Sequence, residues 1–415
     1  MKKQIIVIGG GPAGMMAAIT AARQGATVTL WERNERLGRK LALTGKGRCN
    51  ITNDAPLDEL IKQMPGNGRF LYSAFSRFSA QDTINFFSQD LQLPLKTERG
   101  RRVFPLSDSA PQVVDALQKE MQRLGVKIHF KRRACQLLLK DGQIYSLRDT
   151  KGNQESAQAV IIATGGLSYP ATGSTGDGYR LAAQVGHTLV EPLPSLVGLE
   201  TVESWPFALS GLSLKNVTLA VYQADKLLGE EFGELLFTHF GVSGPIVLSL
   251  SRLVTTLPNQ GAGVRLSIDL KPALSLEQLD DRLLRDLQAA SRKQLQNALD
   301  GLMPAALWPV VLKISELNPH KIANQISRTE RAKLAELLKN LPLTVHSPRS
   351  IAEAIVTVGG INVREVDPKT MQSRLCPNLY LVGELLDIDG FTGGYNLQAA
   401  WSSGYLAGLS AVHQL

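Results

Sequence analysis

The stretch Ile5-Ile6-Val7-Ile8-Gly9-Gly10-Gly11-Pro12-Ala13-Gly14 decides how this chain is read. Four apolar residues in a row predict a strand buried on both faces, and the glycines after them predict a tight turn. Met15 to Gln24 then reads as a helix, and Ala26 to Trp31 as a second strand that ends at Glu32. Strand, glycine turn, helix, strand and terminal acid, in that order, make a frame for holding a dinucleotide. Gly9 permits the turn, Gly11 lets the backbone approach a pyrophosphate, and Gly14 lets helix and strand pack closely. Pro12 and Ala13 belong to the turn, and the exposed N–H groups and positive dipole end of the helix that follows face the phosphates. Glu32, eighteen residues after Gly14, is placed to accept hydrogen bonds from a ribose 2′-hydroxyl and disfavours a 2′-phosphate there.

The rest of the composition fits such a protein. At 415 residues the chain exceeds what one core fills, so two or three domains are expected. It is 44% apolar and 20% charged, and no uninterrupted apolar run reaches the membrane-spanning length of about 18–20 residues, so no membrane span is expected. Lys2-Lys3 before an apolar run has the look of an export signal, but the glycine turn interrupts it. Cys49, Cys135 and Cys376 are far apart and odd in number, which argues against a disulfide framework and fits a cytoplasmic protein. No His, Cys or carboxylate cluster has ligand spacing, so no metal is expected. The net charge of +8 gathers at Arg39-Lys40, Lys46 with Arg48, Arg99 with Arg101-Arg102, and Lys131-Arg132-Arg133. No aromatic stripe interleaves these groups and no RNA-recognition motif accompanies them. One is expected to face a pyrophosphate and the others water, with nucleic acid not an expected partner.

Two more apolar strands, Ala159–Ala163 running into Thr164-Gly165-Gly166 and Asn378–Val382 running into Gly383-Glu384, predict a parallel sheet assembled from both ends of the chain. The expected organisation is therefore a discontinuous nucleotide domain, 1–190 plus 346–415. Between them, Val217–Tyr222, Glu234–Phe237 and Val264–Leu270 alternate and are punctuated by Gly and Pro, which predicts a small antiparallel β-barrel over 191–273. A helical segment is expected over 274–345. There Ser275 with Gln278 makes a capping box, and Leu276, Leu279, Leu283, Leu284 and Leu287 share one face.

Three segments separate a flavin dinucleotide from NAD. Arg39-Lys40-Leu41 followed by Thr44-Gly45-Lys46-Gly47-Arg48-Cys49-Asn50 is a second glycine-rich, basic loop suited to a pyrophosphate and an isoalloxazine edge. Ala163-Thr164-Gly165 lies where two-dinucleotide flavoproteins pass their FAD, and Glu384 stands where an acid binds a ribitol hydroxyl. Gly393-Gly394-Tyr395-Asn396-Leu397-Gln398 opens a helix. Its N-terminus, aimed at the flavin pyrimidine edge, would favour the anionic reduced flavin by about 1 kcal/mol. No second GxGxxG marks a separate nicotinamide domain.

The segments GGGPAGMMAA, ERNERLGRKLALTGKGRCNITN, GRRVFP, VIIATGGLSYPATGSTGDGY, LLFTHFGVSGPIVLSLS, VTVGGI and LYLVGELLDIDGFTGGYNLQAAWSSG resemble, in order and from Gly9 to Gly404, the three-domain bacterial flavoproteins of the YhiN/BaiN type, a family with aminoacetone oxidase-like members. The resemblance implies an α/β fold, a Rossmann-like two-dinucleotide FAD-binding domain with an inserted β-barrel and a small helical domain. It implies FAD as cofactor. Gly9, Gly11, Pro12, Ala13, Gly14, Glu32 and Arg33 would hold the ADP half, and Ala134 would meet adenine through its backbone. Arg39, Lys40, Thr44, Arg48, Cys49 and Asn50 would fall in the pyrophosphate and flavin loop. Ala163, Thr164 and Gly165 would pass the dinucleotide, and Gly383, Glu384, Asp387, Asn396, Leu397 and Gln398 would line ribitol and flavin. Lys46 departs from the Gly or Asn of relatives and is expected to face solvent.

Other residues are weighed against plainer roles. Cys49 has no partner cysteine nearby and is expected to be a packed thiol, and His239 to satisfy a barrel turn rather than act as an acid or base. Tyr395 could wall a substrate pocket, and the Arg99–Pro105 turn could line an entrance or cap a strand. Asp387 and Asp389 belong to a cofactor loop rather than a metal site. The reading is a cytoplasmic FAD-dependent oxidoreductase that moves a hydride between flavin N5 and a small organic substrate. One direction is oxidation of an amine or amino ketone with oxygen as acceptor; the other is reduction of an activated C=C bond with NAD(P)H. A flavin-bearing RNA-modification or RNA-binding protein and a flavin sensor without turnover are the alternatives.

Overall fold

In a computed structural model, residues 2–299 and 301–413 are described. The chain divides into two compact units, Met1–Pro194 with Ile351–Leu415, and Ser195–Ser350. The first is built on five parallel strands: β1 (Gln4–Ile8), β2 (Thr27–Trp31), β3 (Lys127–His129), β4 (Ala159–Ile162) and β5 (Leu379–Leu381). Their order is β5-β4-β1-β2-β3, so the last strand in sequence closes the edge beyond β4. Ile5 to Ile8 and all of β4 and β5 are buried. Continuous apolar runs therefore behave as expected of strands covered on both faces.

Helix α1 (Pro12–Arg23) follows β1, α2 (Asp177–Ala183) follows β4, and α3 (Tyr395–His413) ends the described chain. α3 lies on α1 with almost nothing between the backbones. A Cβ on Gly404 would overlap the Ala13 carbonyl oxygen, and one on Gly408 would stand 2.5 Å from that of Ala17. Trp401, on the same helix, is fully buried and its indole N–H donates to the Ile51 carbonyl at 2.9 Å, which ties the loop after Asn50 to the helix. Among the described residues no helix is long and apolar enough to cross a membrane.

The second unit holds a closed antiparallel barrel. Its strands, in order around the ring, are Leu199–Thr201, Gly241–Ser243, Lys226–Thr238, Ser213–Gln223, Arg265–Asp269 and Leu341–Pro348. The closing strand comes from after the helical segment, because Leu341–Pro348 pairs with both Arg265–Asp269 and Leu199–Thr201. The helical segment opens with Leu276–Ala289. Its capping box forms: Ser275 Oγ accepts from Gln278 N at 3.1 Å and Gln278 Oε1 from Ser275 N at 2.9 Å. Leu279, Leu283 and Leu287 are buried, whereas Leu276 is exposed and Leu284 half-buried. The buried stripe is thus narrower than the sequence suggests, at one residue per turn from the second turn onward.

One buried polar array in the first unit is set by a single proton. The His187 side chain is fully buried; Nδ1 lies 3.1 Å from Glu365 Oε2 and Nε2 lies 2.7 Å from Ser373 Oγ. Ser373 Oγ also accepts from the amides of Leu375 and Cys376. A neutral ring with its proton on Nδ1, donating to Glu365 and accepting from Ser373, satisfies every member. Burial pushes the His187 pKa below its ordinary value and outweighs the opposing pull of Glu365. The stability this neutral ring contributes is therefore complete above the unfolded-state pKa of about 6.5 and is lost as pH falls towards the folded value. The thermal midpoint is expected to drop between pH 7 and pH 5. His187→Gln should flatten that dependence by up to one proton, about 1.4 kcal/mol per pH unit, as read from denaturation curves at several pH values.

Candidate functional site

The glycine turn between β1 and α1 has the geometry its sequence demands. Gly9 has φ +104°, and a Cβ there would lie 2.5 Å from the Ala163 carbonyl oxygen. A Cβ on Gly14 would overlap the Gly9 carbonyl, whereas one on Gly11 would meet nothing within 4 Å. Two glycines are thus required by packing, and the middle one faces open space where backbone is left bare. Pro12 occupies the first helical position and costs no hydrogen bond there. With Ala13 beside it, α1 presents its N-terminal amides and partial positive charge to that space.

Glu32 directly follows β2 and is buried. Its Oε2 accepts from Gly10 N at 2.8 Å, and its Oε1 from Asn34 N at 2.8 Å and Asn34 Nδ2 at 2.7 Å. These bonds fix the carboxylate against the glycine turn and leave acceptor capacity on it. Arg39 Nη1 donates to Asn34 Oδ1 at 2.9 Å. Arg33 reaches the carboxylate of Asp177, the first residue of α2, at 3.0 Å and also bonds Thr175. Arg133 and Arg180 bind the same carboxylate. Burial alone would raise the Asp177 pKa, but Arg133, Arg33 and Arg180 together hold it below the usual carboxylate range. Ala134, next along from Arg133, is buried at the start of a second sheet.

On the other side of the turn, a Cβ on Gly383 would stand 2.9 Å from Ala13 Cβ, so the C-terminal segment abuts α1. Glu384 is the hub of a half-buried cluster. Lys40 Nζ lies 2.6 Å from Glu384 Oε2 and 2.6 Å from Ser168 Oγ. Ser168 Oγ and Thr357 N donate to Glu384 Oε1 at 2.8 and 2.9 Å. Ala163, Thr164 and Gly165 run between this cluster and Gly9, and Gly165 has φ +73°.

The loop over 44–50 turns on four left-handed residues, Gly45, Lys46, Gly47 and Cys49. Thr44 Oγ1 donates to the Leu41 carbonyl, and Lys46 points outward, exposed. Cys49 is buried, and burial pushes its thiol up to about 12, so it stays a neutral, packed group. Arg48 turns away to Asp108 (2.8 Å) and Glu98, with its guanidinium 4.2 Å over the Phe104 ring. Asn53 Nδ2 donates to the Gly100 and Gly393 carbonyls at 3.0 Å each. Asn396 braces Gly390 through both its amide atoms, and Asp387 accepts from Asn67. Leu397 is half-buried, while Gln398 is fully buried and spent on Thr52, Phe78 and Ser402.

The glycine turn, Glu32, Arg33, Arg39, Lys40, Ala163 to Gly165, Gly383 and Glu384 are therefore brought together, whereas the side chains of Arg48 and Gln398 are committed elsewhere. Ser168, Asp177 and Thr357 were not among the sequence candidates and are the partners that position Lys40, Arg33 and Glu384. Their signal was present in the segments containing Gly-Gly-Leu-Ser168, Thr-Gly-Asp177-Gly and Val-Thr357-Val-Gly-Gly. Tyr395 is buried at the start of α3, and the Arg99–Pro105 stretch forms the turn and second strand of a hairpin with Leu95–Glu98, in which Arg101 pairs with Glu59. In the other unit, His239 is exposed with its ring edge-on to Phe240. Among the described residues no His, Cys, Asp and Glu group could hold a metal.

A dinucleotide is tested by what this site leaves unsatisfied. Among the described residues seven buried side-chain polar atoms lack a hydrogen-bond partner, and four of them belong to these segments: Asn50 Oδ1, Asn53 Oδ1, Thr164 Oγ1 and Tyr179 Oη. Each such group costs about 1–3 kcal/mol when left dry, and a polar ligand held by these segments would satisfy them. Gly11→Ala is expected to leave the thermal midpoint within about 1–2 °C while weakening dinucleotide binding at least tenfold. Gly14→Ala should lower the midpoint as well, because its methyl has no room; paired melting curves and binding titrations separate the two. In the native protein a thiol reagent should titrate the exposed Cys135 and spare the buried Cys49 and Cys376, and denaturant should release all three.

Comparison with known proteins agrees with this architecture. The family model described as HI0933-like protein Rossmann domain matches residues 3–410. The chain is 34% identical over 413 residues to the 3-dehydro-bile acid delta(4,6)-reductase of Clostridium scindens, covering 99% of each chain. It is 32% identical to the ribosomal RNA dihydrouridine synthase of Haemophilus influenzae, covering 99% of this chain and 98% of the other. The solved 3-ketosteroid delta1-dehydrogenase of Sterolibacterium denitrificans superposes with a TM-score of 0.54 over 100% of both chains at 12% identity, a likeness of fold. With a matching family model and full-length relatives above 30% identity, the chain belongs to the HI0933-like Rossmann family, the YhiN/BaiN-type group its motifs resemble.

Proposed function

We propose that this protein is a FAD-dependent oxidoreductase that reduces a carbon–carbon double bond conjugated to a carbonyl, with NAD(P)H as electron source. The observation that carries the cofactor reading is the bare backbone at Gly11, flanked by the anchored Glu32 carboxylate on one side and by Lys40 and Glu384 on the other. Bound FAD would supply a hydride at its N5. On this reading Glu32 holds the adenosine ribose, the α1 amides and Lys40 balance the pyrophosphate, and Glu384, steadied by Ser168 and Thr357, takes hydroxyls of the ribityl chain. The segment from Gly390 to Leu397 would line the ring system.

The direction of reaction is supported by one full-length relative. The Clostridium scindens relative is named a delta(4,6)-reductase of a 3-dehydro-bile acid. In such a reduction the hydride adds to the β-carbon and a proton to the α-carbon, and polarisation by the carbonyl makes the β-carbon the acceptor. This favours reduction over oxidation of an amine. A second reading places the reduced bond in an RNA base, and the observation on this chain that favours it is the net charge of +8.

Anaerobic absorbance spectroscopy of the purified protein tests both. The flavin band is expected to bleach with NADH or NADPH and to return on addition of a conjugated enone, but not of its saturated counterpart. Amines and amino ketones should leave it unchanged. Bleaching by an amine would reverse the direction, and a protein that neither carries nor takes up flavin would end the reading. Reoxidation by RNA together with salt-sensitive RNA binding would favour the second reading.

A further inference from the structure

The strongest unexplained group in the molecule is the phenol of Tyr179. It is 7% exposed, and its hydroxyl has no hydrogen-bond partner among the described residues. A buried phenol normally finds one. The residue sits in the first turn of α2, and two glycines make its place. Gly176, at φ +75°, carries no Cβ where one would crowd Leu167 Cδ2 at 2.9 Å and the Tyr179 ring at 3.3 Å. Gly178 lets α2 close onto Thr164 and Leu385, and Thr164 Oγ1 is a second buried hydroxyl without a partner. Burial raises the Tyr179 pKa far above its ordinary value, and the nearby carboxylates of Glu384 and Asp387 raise it further. The phenol therefore stays protonated, a donor on the side of α2 that faces these carboxylates.

That environment selects the ligand group. Glu384 already has its counter-ion in Lys40, so a further anion such as a phosphate gains little beside it. An uncharged polyol suits it, because each hydroxyl can accept from a phenol and donate to a carboxylate. Resting on the FAD reading above, we propose that Tyr179 is a cofactor-positioning residue whose hydroxyl donates to the ribityl chain that Glu384 also holds. Thr164 would contribute a second hydroxyl to the same stretch.

Tyr179→Phe removes the donor and keeps the ring. Full-length wild type and variant, freed of flavin, are titrated with FAD by fluorescence quenching and with ADP by competition. The variant should bind FAD about tenfold more weakly, about 1.4 kcal/mol, and bind ADP, which lacks the ribityl chain, as wild type does. The thermal midpoint of the flavin-free variant should hold or rise, since an unpartnered buried hydroxyl has been deleted. Unchanged FAD affinity overturns the proposal. So does an equal loss of ADP affinity, which places the effect in the other half of the cofactor. A fall in the flavin-free midpoint overturns it too, because the phenol then had a structural partner. If wild type itself takes up no FAD, the functional reading fails instead.

Discussion

This fold is organised by backbone meeting backbone where a side chain would normally intervene. Gly9 lies on Ala163, Gly14 on Gly9, Gly404 on Ala13 and Gly408 on Ala17, and at each a methyl group would collide with a carbonyl. The contacts form one continuous layer from β4 through the glycine turn and α1 to α3. Segments more than 380 residues apart in sequence thereby meet at the amino end of α1, where Gly383 also arrives. Gly11 belongs to the same turn yet touches nothing, and that difference between neighbouring glycines distinguishes packing from recognition.

Around this layer the electrostatics follow one pattern: cations are held by carboxylates that are themselves held. Asp177 draws in Arg33, Arg133 and Arg180; Glu384 binds Lys40 while Ser168 and Thr357 steady it; Arg132 bonds Asp149 and Glu155 and stacks 3.7 Å over Trp31. Lys131 pairs with Glu35. The basic run 131–133 is thus accounted for within the fold. Half-buried pairs of this kind contribute modestly to stability, but they fix where charge sits relative to the glycine turn.

Much of this was legible because it is local. The strand–turn–helix at residues 4–23, the acid at 32, the capping box at Ser275 and Gln278 and the alternation of the barrel strands depend on short-range periodicity and turn chemistry. What sequence did not disclose is partnership through space. Ser168 and Thr357 acquire meaning only when β4 and the segment before β5 lie side by side. Arg48 looks like a phosphate ligand until Glu98 and Asp108, some fifty and sixty residues on, claim it. Gln398 stands next to candidate flavin contacts in sequence, yet the turn of α3 carries it inward to Thr52 and Phe78. Leu276 has the right spacing for its stripe but falls at the helix end.

The barrel's closing strand adds a constraint on the order of assembly. Leu341–Pro348 pairs with Leu199–Thr201 and with Arg265–Asp269, so the ring stays open until nearly 150 residues after its first strand has been synthesised. The five-stranded sheet waits longer still, because its edge strand spans Leu379–Leu381 and the helix that covers α1 begins at Tyr395. The barrel can close once Pro348 has emerged, but the first unit cannot complete its core on the ribosome until α3 has been made. Pairings of such long range are slow and leave strand edges bare in the meantime. The segment from Leu379 onward thus acts as a lock on the first unit, and a nascent chain that stops short of it leaves β4 and α1 uncovered.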